Sequence, residues 1–252
     1  MIRKILDEIE SFRGTGNPFK RGAVLLKDTI WEKIIYNPDR PETTVSWNRL
    51  WDNYSWEKNG DEWDDQAAFC NQPYEKWKIS IFEAFIKPNI NKEAVVLEIA
   101  PGHGRWTEFM LSTKALILVD LNKECIDYCK KRFSKCKSIR YFVNDGKDLS
   151  FIPDNSVDFV WSYDSFVHMQ KDVIGSYFRE FSRILTLRGR VIIHHAGGKK
   201  GGWRSKISKR TIRKLAEKNH LKVLFQTDTW GKNREYNCKA HGDYLSGLVK
   251  QA

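Results

Sequence analysis

The chemistry-bearing residues of this chain fall into two constellations. The first is Glu98-Ile99-Ala100-Pro101-Gly102-His103-Gly104-Arg105-Trp106-Thr107. Gly102 and Gly104 let the backbone turn tightly and approach a ligand without Cβ interference. Arg105 offers a cation to a ligand carboxylate. Asp120, followed by Leu121, can accept from two vicinal hydroxyls such as those of a ribose, and Asp145, followed by Gly146, from an exocyclic amino group such as that of adenine. The second constellation is Ser162-Tyr163-Asp164-Ser165-Phe166-Val167-His168, with His194 and His195 farther along. Asp164 and His168 are four apart and share a face if the segment is helical, which makes them a base and its orienter. The other reading of His168 is a cap of the following helix or packing on the sheet edge. His194 and His195 are consecutive, so on a strand at most one faces a substrate.

These residues need elements that bring them to one place. AVVLEIA (94–100) is a short apolar run that stops at Pro101-Gly102, as a buried parallel strand does. A helix is expected from about Arg105. ALILVDL (115–121), IRYFVND (139–145), VDFVWSY (157–163) and GRVIIHH (189–195) read as further strands. Helices are expected at Cys125 to Phe133, over 172–185 and, strongly basic, near 208–219. LKVLFQTDTW (221–230) and HGDYLSGLVK (241–250) complete the strands. Such alternation specifies a mostly parallel sheet covered on both faces, with ligands beyond the carboxyl ends of its strands. Glu98, Gly102, Asp120, Asp145 and Asp164 all fall at or beside such ends.

A dinucleotide fingerprint, GxGxxG, competes for the same geometry but needs a glycine where Thr107 stands. Glu98 to Gly104 instead resembles motif I, (D/E)-x-G-x-G-x-G, of the class I S-adenosylmethionine-dependent methyltransferases, with Ala100 in place of the first glycine. The resemblance covers about residues 65 to 250. It implies a Rossmann-like α/β fold with a seven-stranded sheet, order 3-2-1-4-5-7-6, strand seven antiparallel. It implies S-adenosylmethionine as cofactor, Gly102 and Gly104 beneath it, Asp120 on its ribose and Asp145 on its adenine. Glu98, Ala100, Arg105, Leu121, Gly146 and Ser162 complete the expected cofactor set. LEIAPGHGRWTEF, NDGKDL, DFVWSYDSFVHM and VIIHHAG further resemble a bacterial group found among polysaccharide and natural-product genes, which implies sugar O-methylation by analogy.

The 252 residues suit one well-cored domain plus an extension. Residues 1–90 read as a helical, Trp-rich N-terminal extension or lid, and 91–252 as the cofactor-binding domain. Trp51, Tyr54 and Trp56 are the lid candidates, the other tryptophans being read as core or interface. No apolar run reaches the roughly 18 residues of a membrane helix. MIRKILDEIESF mixes acids into an amphipathic pattern rather than forming a secretory signal, so the expected location is cytoplasmic. The five cysteines contain no CxxC pair and read as reduced thiols. The net charge of +11 is concentrated in GGKKGGWRSKISKRTIRK (197–214), which either attracts an anionic partner or is a solvated face.

The expected reaction is methyl transfer to a hydroxyl of a sugar or glycan-like small molecule, itself anionic if the basic segment serves it. His168, Asp164, His194 and His195 are the catalytic candidates. No metal is expected, because magnesium prefers oxygen ligands and this cluster is nitrogen-rich. No NPPY-type tetrapeptide follows the fourth strand, which argues against base-amino acceptors. A small-molecule N-methyltransferase is the runner-up, followed by an RNA methyltransferase or a nucleic-acid-binding module. A membrane span is not expected, nucleic acid is disfavoured as partner, and homo-oligomerisation is left open.

Overall fold

A computed structural model of the protein describes residues 65–198 and 204–251. The lid candidates Trp51, Tyr54 and Trp56 lie outside them, as do Lys199 and Lys200 of the basic segment. The elements are α1 (Asp65–Phe69), α2 (Tyr74–Ile81), a π-helical turn (Phe82–Ile86), β1 (Val95–Ile99), β2 (Ala115–Asp120), α3 (Lys123–Arg132), β3 (Ile139–Val143) and β4 (Val157–Ser162). Then come α4 (Lys171–Ile184), β5 (Leu185–His195), α5 (Lys209–Lys218), β6 (Leu221–Thr227), β7 (Thr229–Trp230), β8 (Tyr236–Asn237) and β9 (Tyr244–Lys250).

Seven strands form one sheet in the order β3-β2-β1-β4-β5-β9-β6. β9 runs antiparallel to both β5 and β6. Since β9 is the seventh strand of this sheet, the order and the reversed strand are those expected.

Alternation along each strand divides the core into two layers. Leu97, Ile99, Ile117, Val119, Val160, Val191 and Ile193 face α4 and α5. Val96, Leu116, Leu118, Phe159, Trp161 and Ile192 face the other way, toward Trp77, Ile81, Phe85 and Ile126. α4 buries Val173, Ile174, Tyr177, Phe178, Phe181 and Ile184, three or four residues apart, so one stripe closes on the sheet. Each such side chain contributes about 1.5–3 kcal/mol on burial. α3 starts at Asn122, whose side chain accepts from Glu124 N–H at 2.7 Å.

Two expectations about elements fail. The stretch after Gly104 is not an α-helix but a series of turns ending in a four-residue 3-10 turn, Thr107–Met110. Gly104, Arg105, Trp106 and Thr107 are all buried, and four consecutive residues cannot all lie on the inner stripe of one α-helix. The strand expected over 221–230 breaks at Asp228, because Thr227 Oγ1 donates to Thr229 O and accepts from Thr229 N–H. That side-chain turn replaces the ladder and starts the β7–β8 ribbon.

Candidate active site

Ala100, Gly102 and Gly104 all adopt left-handed backbone conformations, with φ of 57°, 55° and 85°. The chain therefore folds back on itself just beyond β1. A side chain on Gly104 would put its Cβ 2.5 Å from Phe133 Cε2, so only glycine fits. Asp120, at the end of β2, accepts from Gly102 N–H at 3.3 Å and from Asn122 N–H at 2.9 Å. Leu121 reaches within 3.5 Å of where a Cβ on Gly146 would stand. Ala100, Gly102, Gly104, Asp120, Leu121 and Gly146 thus border one cradle at the carboxyl ends of β1, β2 and β3. Asp145 is exposed beyond β3, and its Oδ1 accepts from the N–H groups of Lys147 and Asp148.

Three residues of the expected cofactor set are engaged by partners within the protein. Glu98 is buried beneath the turn and accepts from Thr107 Oγ1 at 2.6 Å. Burial pushes its carboxyl up to about 8, against the opposing hydrogen bond from Thr107. Ser162 is fully buried and its hydroxyl donates to Ile99 O at 2.9 Å, fastening β4 to β1. Arg105 Nη1 pairs with Asp164 Oδ2 at 3.0 Å. Its guanidinium lies 5.0–5.7 Å from the ring centroids of Tyr74, Trp77, Trp106 and Tyr163. Asp120 remains as the acid of the cradle, raised to about 6 by burial, with the N–H groups of Asn122, Gly102 and Leu121 pulling the other way.

Beyond β4 the chain does not form the helical turn expected to align Asp164 with His168. Asp164 has φ of 60° and begins a turn in which His168 N–H donates to Ser165 O. Its carboxylate instead lies 3.2 Å from His194 Nδ1, on neighbouring β5. His194 is fully buried and stacks on Tyr163 at 4.1 Å between centroids. Its Nε2 lies 3.7 Å from Asp243 Oδ2, which accepts from Arg204 Nε at 2.9 Å. The result is a buried chain of ionisable groups, Arg105–Asp164–His194–Asp243–Arg204. Burial alone would raise Asp164, but the hydrogen bond and charge of His194, with Arg105 and Arg204, hold it well below the ordinary carboxylate range.

His195 points to the opposite face and is enclosed: Nδ1 meets Ala196 O and Nε2 meets Ser246 Oγ, each at 2.7 Å. Burial drives its pKa down to about 3, with Ala196 O opposing. Both ring nitrogens are thus engaged inside the core. Neither Asp243 nor the pairing of Arg204 was expected, because these partners lie 39 positions apart with no periodicity to connect them. Among the described residues no group of three or more His, Cys, Asp or Glu side chains is arranged to hold a metal.

Residues 96–189 match a family model described as a methyltransferase domain. Over that stretch the chain is similar to a methyltransferase domain, and its fold is shared with solved enzymes that use S-adenosylmethionine as cofactor. Among solved structures, one similar to it is an S-adenosylmethionine-dependent methyltransferase from Clostridium acetobutylicum, 16% identical, TM-score 0.59, over 75% of this chain and 96% of that one. Another is geranyl diphosphate C-methyltransferase from Streptomyces coelicolor in complex with Mg2+, geranyl diphosphate and S-adenosyl-L-homocysteine. It is 16% identical, TM-score 0.59, over 85% of this chain and all of that one. A Leishmania major S-adenosylmethionine-dependent methyltransferase is 14% identical, TM-score 0.62, over 88% of this chain and 90% of that one. No curated protein is a significant sequence match. No helix among the described residues is long and apolar enough to cross a membrane.

The cradle fits this cofactor. Its positive-φ backbone leaves room for close approach, and an acid at the end of β2 faces the same space as the glycines. Asp120 would hold the ribose, while Leu121 and Gly146 would flank the base. Bound there, S-adenosylmethionine supplies an electrophilic methyl group on a sulfonium.

Proposed function

We propose that this protein methylates a hydroxyl group of a sugar or glycan-like small molecule, with Asp164 as the residue that meets the acceptor. The observation that carries this reading is the state of Asp164. It stands beyond β4 next to the cradle and is a fifth exposed, whereas Arg105, His194 and Asp243 behind it are nearly sealed. Arg105 and His194 keep it ionised and fix its direction. A carboxylate so held accepts a hydrogen bond from an acceptor hydroxyl and aims the oxygen lone pair along the line of displacement.

A strong base is not required. As the C–O bond forms and the C–S bond breaks, the hydroxyl proton becomes far more acidic than a carboxylic acid, so even a strongly ionised carboxylate can take it. The proton passes to Asp164, the electron pair of the broken bond stays on sulfur, and charge balances. His168, in the same turn, is the second candidate contact. An amine acceptor would need no proton acceptor as it reacts.

The exposed cations Lys206, Lys209, Arg210, Arg213, Lys214 and Lys218 support an acceptor that carries negative charge. Glu217 is the one acid among residues 204–222, and the run begins at Arg204, itself part of the buried chain of ionisable groups. The test is transfer of labelled methyl to sugars, nucleotide sugars and glycan fragments, beside matched amines, at low and high salt. The expected result is transfer to hydroxyls, weakened by salt for anionic acceptors. Transfer to amines alone would overturn the reading, as would salt-sensitive RNA methylation without small-molecule turnover.

A further inference from the structure

The cofactor loop has lost the helix expected to follow it, yet its backbone carbonyls are held by one face of α3. Cys129 Sγ donates to Gly102 O at 3.3 Å, and Arg132 Nη1 donates to His103 O at 2.7 Å. The Tyr128 ring stacks on that of His103 at 3.6 Å between centroids, 3° from parallel. Positions 128, 129 and 132 share one face of a helix. Arg132 also reaches onward: its Nη2 donates to Glu108 Oε2 at 2.6 Å, and Glu108 Oε1 accepts from buried Lys78 of α2 at 2.8 Å. Its guanidinium lies over the Phe133 ring, the same ring that excludes a side chain at Gly104.

We propose that Arg132 is the positioning residue of the cofactor loop: it sets the bend at residues 102–104 before S-adenosylmethionine arrives. It acts through the His103 carbonyl and Glu108. A planar guanidinium can serve both oxygens at once, which a lysine ammonium at that distance cannot do with the same geometry. A loop already bent loses less entropy when a ligand binds. The proposal rests on residues 100–104 lying against the cofactor.

The experiment compares the full chain with its R132M and R132K variants. Calorimetric titration with S-adenosylhomocysteine is combined with hydrogen exchange of the ligand-free proteins. In R132M the affinity should fall at least tenfold, with a more unfavourable binding entropy. Exchange at the Gly102 and Gly104 amides should quicken while the β4 and β5 amides keep their protection. R132K, which retains the charge but has a single donor atom in place of the guanidinium fork, should fall between R132M and the unaltered protein. Should R132M not fold, E108Q substitutes for it: it weakens the outer half of the clamp and should raise loop exchange with a smaller loss of affinity. Affinity within twofold of the unaltered chain, or loop exchange unchanged, would overturn the role of Arg132. Failure of the unaltered protein to bind S-adenosylhomocysteine would instead remove the loop from the cofactor site.

Discussion

His194 Nδ1 lies 3.2 Å from the carboxylate of Asp164 and 3.3 Å from the Asp164 backbone N–H, so one ring nitrogen faces both an acceptor and a donor of the same residue. A histidine and an aspartate 30 positions apart, on β5 and just beyond β4, are thereby locked together. Asp164→Asn keeps the shape and removes the charge. It should reduce kcat by roughly 10²–10⁴, the range for loss of an acid–base group, with S-adenosylhomocysteine affinity nearly unchanged. His194→Ala should lower kcat in the same direction, since it frees the carboxylate to rotate. His168→Ala should cost less than either. A larger loss in His168→Ala than in Asp164→Asn would return the base to His168.

Asp120→Ala should weaken S-adenosylhomocysteine binding at least tenfold with the fold intact. Each charge-assisted hydrogen bond lost is worth about 1.5–3 kcal/mol. Because burial raises the Asp120 carboxyl to about 6, the unaltered protein should bind more tightly as pH rises from 5 to 7. The alanine variant should lack that rise. Calorimetry at three pH values checks both, and a parallel pH profile in the two proteins would place the titration elsewhere.

Glu98 links the same turn to stability. Its carboxyl ionises near 4.5 in an ordinary setting and at about 8 inside the fold. Between those values the folded chain holds a proton that the unfolded chain has lost, so stability should fall as pH rises from about 4.5 to about 8. Glu98→Gln keeps an oxygen for Thr107 and cannot ionise. Its thermal midpoint should exceed that of the unaltered protein at pH 8, and its decline between pH 6 and 8 should be shallower. An equally steep decline in both would mean that Glu98 is already ionised in the folded chain.

Ala100 is a non-glycine residue in a left-handed conformation, a placement costing about 1–2 kcal/mol. Replacement by glycine relieves this but loosens the unfolded chain by about 0.4–1 kcal/mol. Ala100→Gly should therefore raise stability by about 0.5–1 kcal/mol in denaturant titration. Ala100→Val should lower it, because a β-branched side chain tolerates that conformation least. A glycine variant less stable than the parent would show that the Ala100 methyl matters more to packing than the strain does.

Much of the fold was readable because buried parallel strands are short apolar runs with abrupt ends. AVVLEIA, ALILVDL and VDFVWSY became β1, β2 and β4 within a residue or two of their expected ends. The cradle followed, since Gly102, Asp120 and Gly146 occupy strand ends that the parallel topology gathers. The buried chain of ionisable groups was not readable. Spacing pairs Asp164 with His168, but the positive φ of Asp164 breaks the helix on which that spacing depends. Its partners Arg105 and His194 lie 59 and 30 positions away, and no local pattern reports such pairings. Arg132 carried no signal either: a basic residue in the last turn of a helix is ordinary charge placement.

The hold of α3 on the glycine loop also bears on how the protein is made. Gly102 and His103 find their partners 27 and 29 positions downstream. A nascent chain that has emerged only through β2 has every glycine of the loop but nothing to fix its bend. The loop becomes competent for its cofactor once Arg132 has cleared the ribosome and α3 has docked. A ligand that occupies the bent loop then adds its binding energy to the stability of the finished domain.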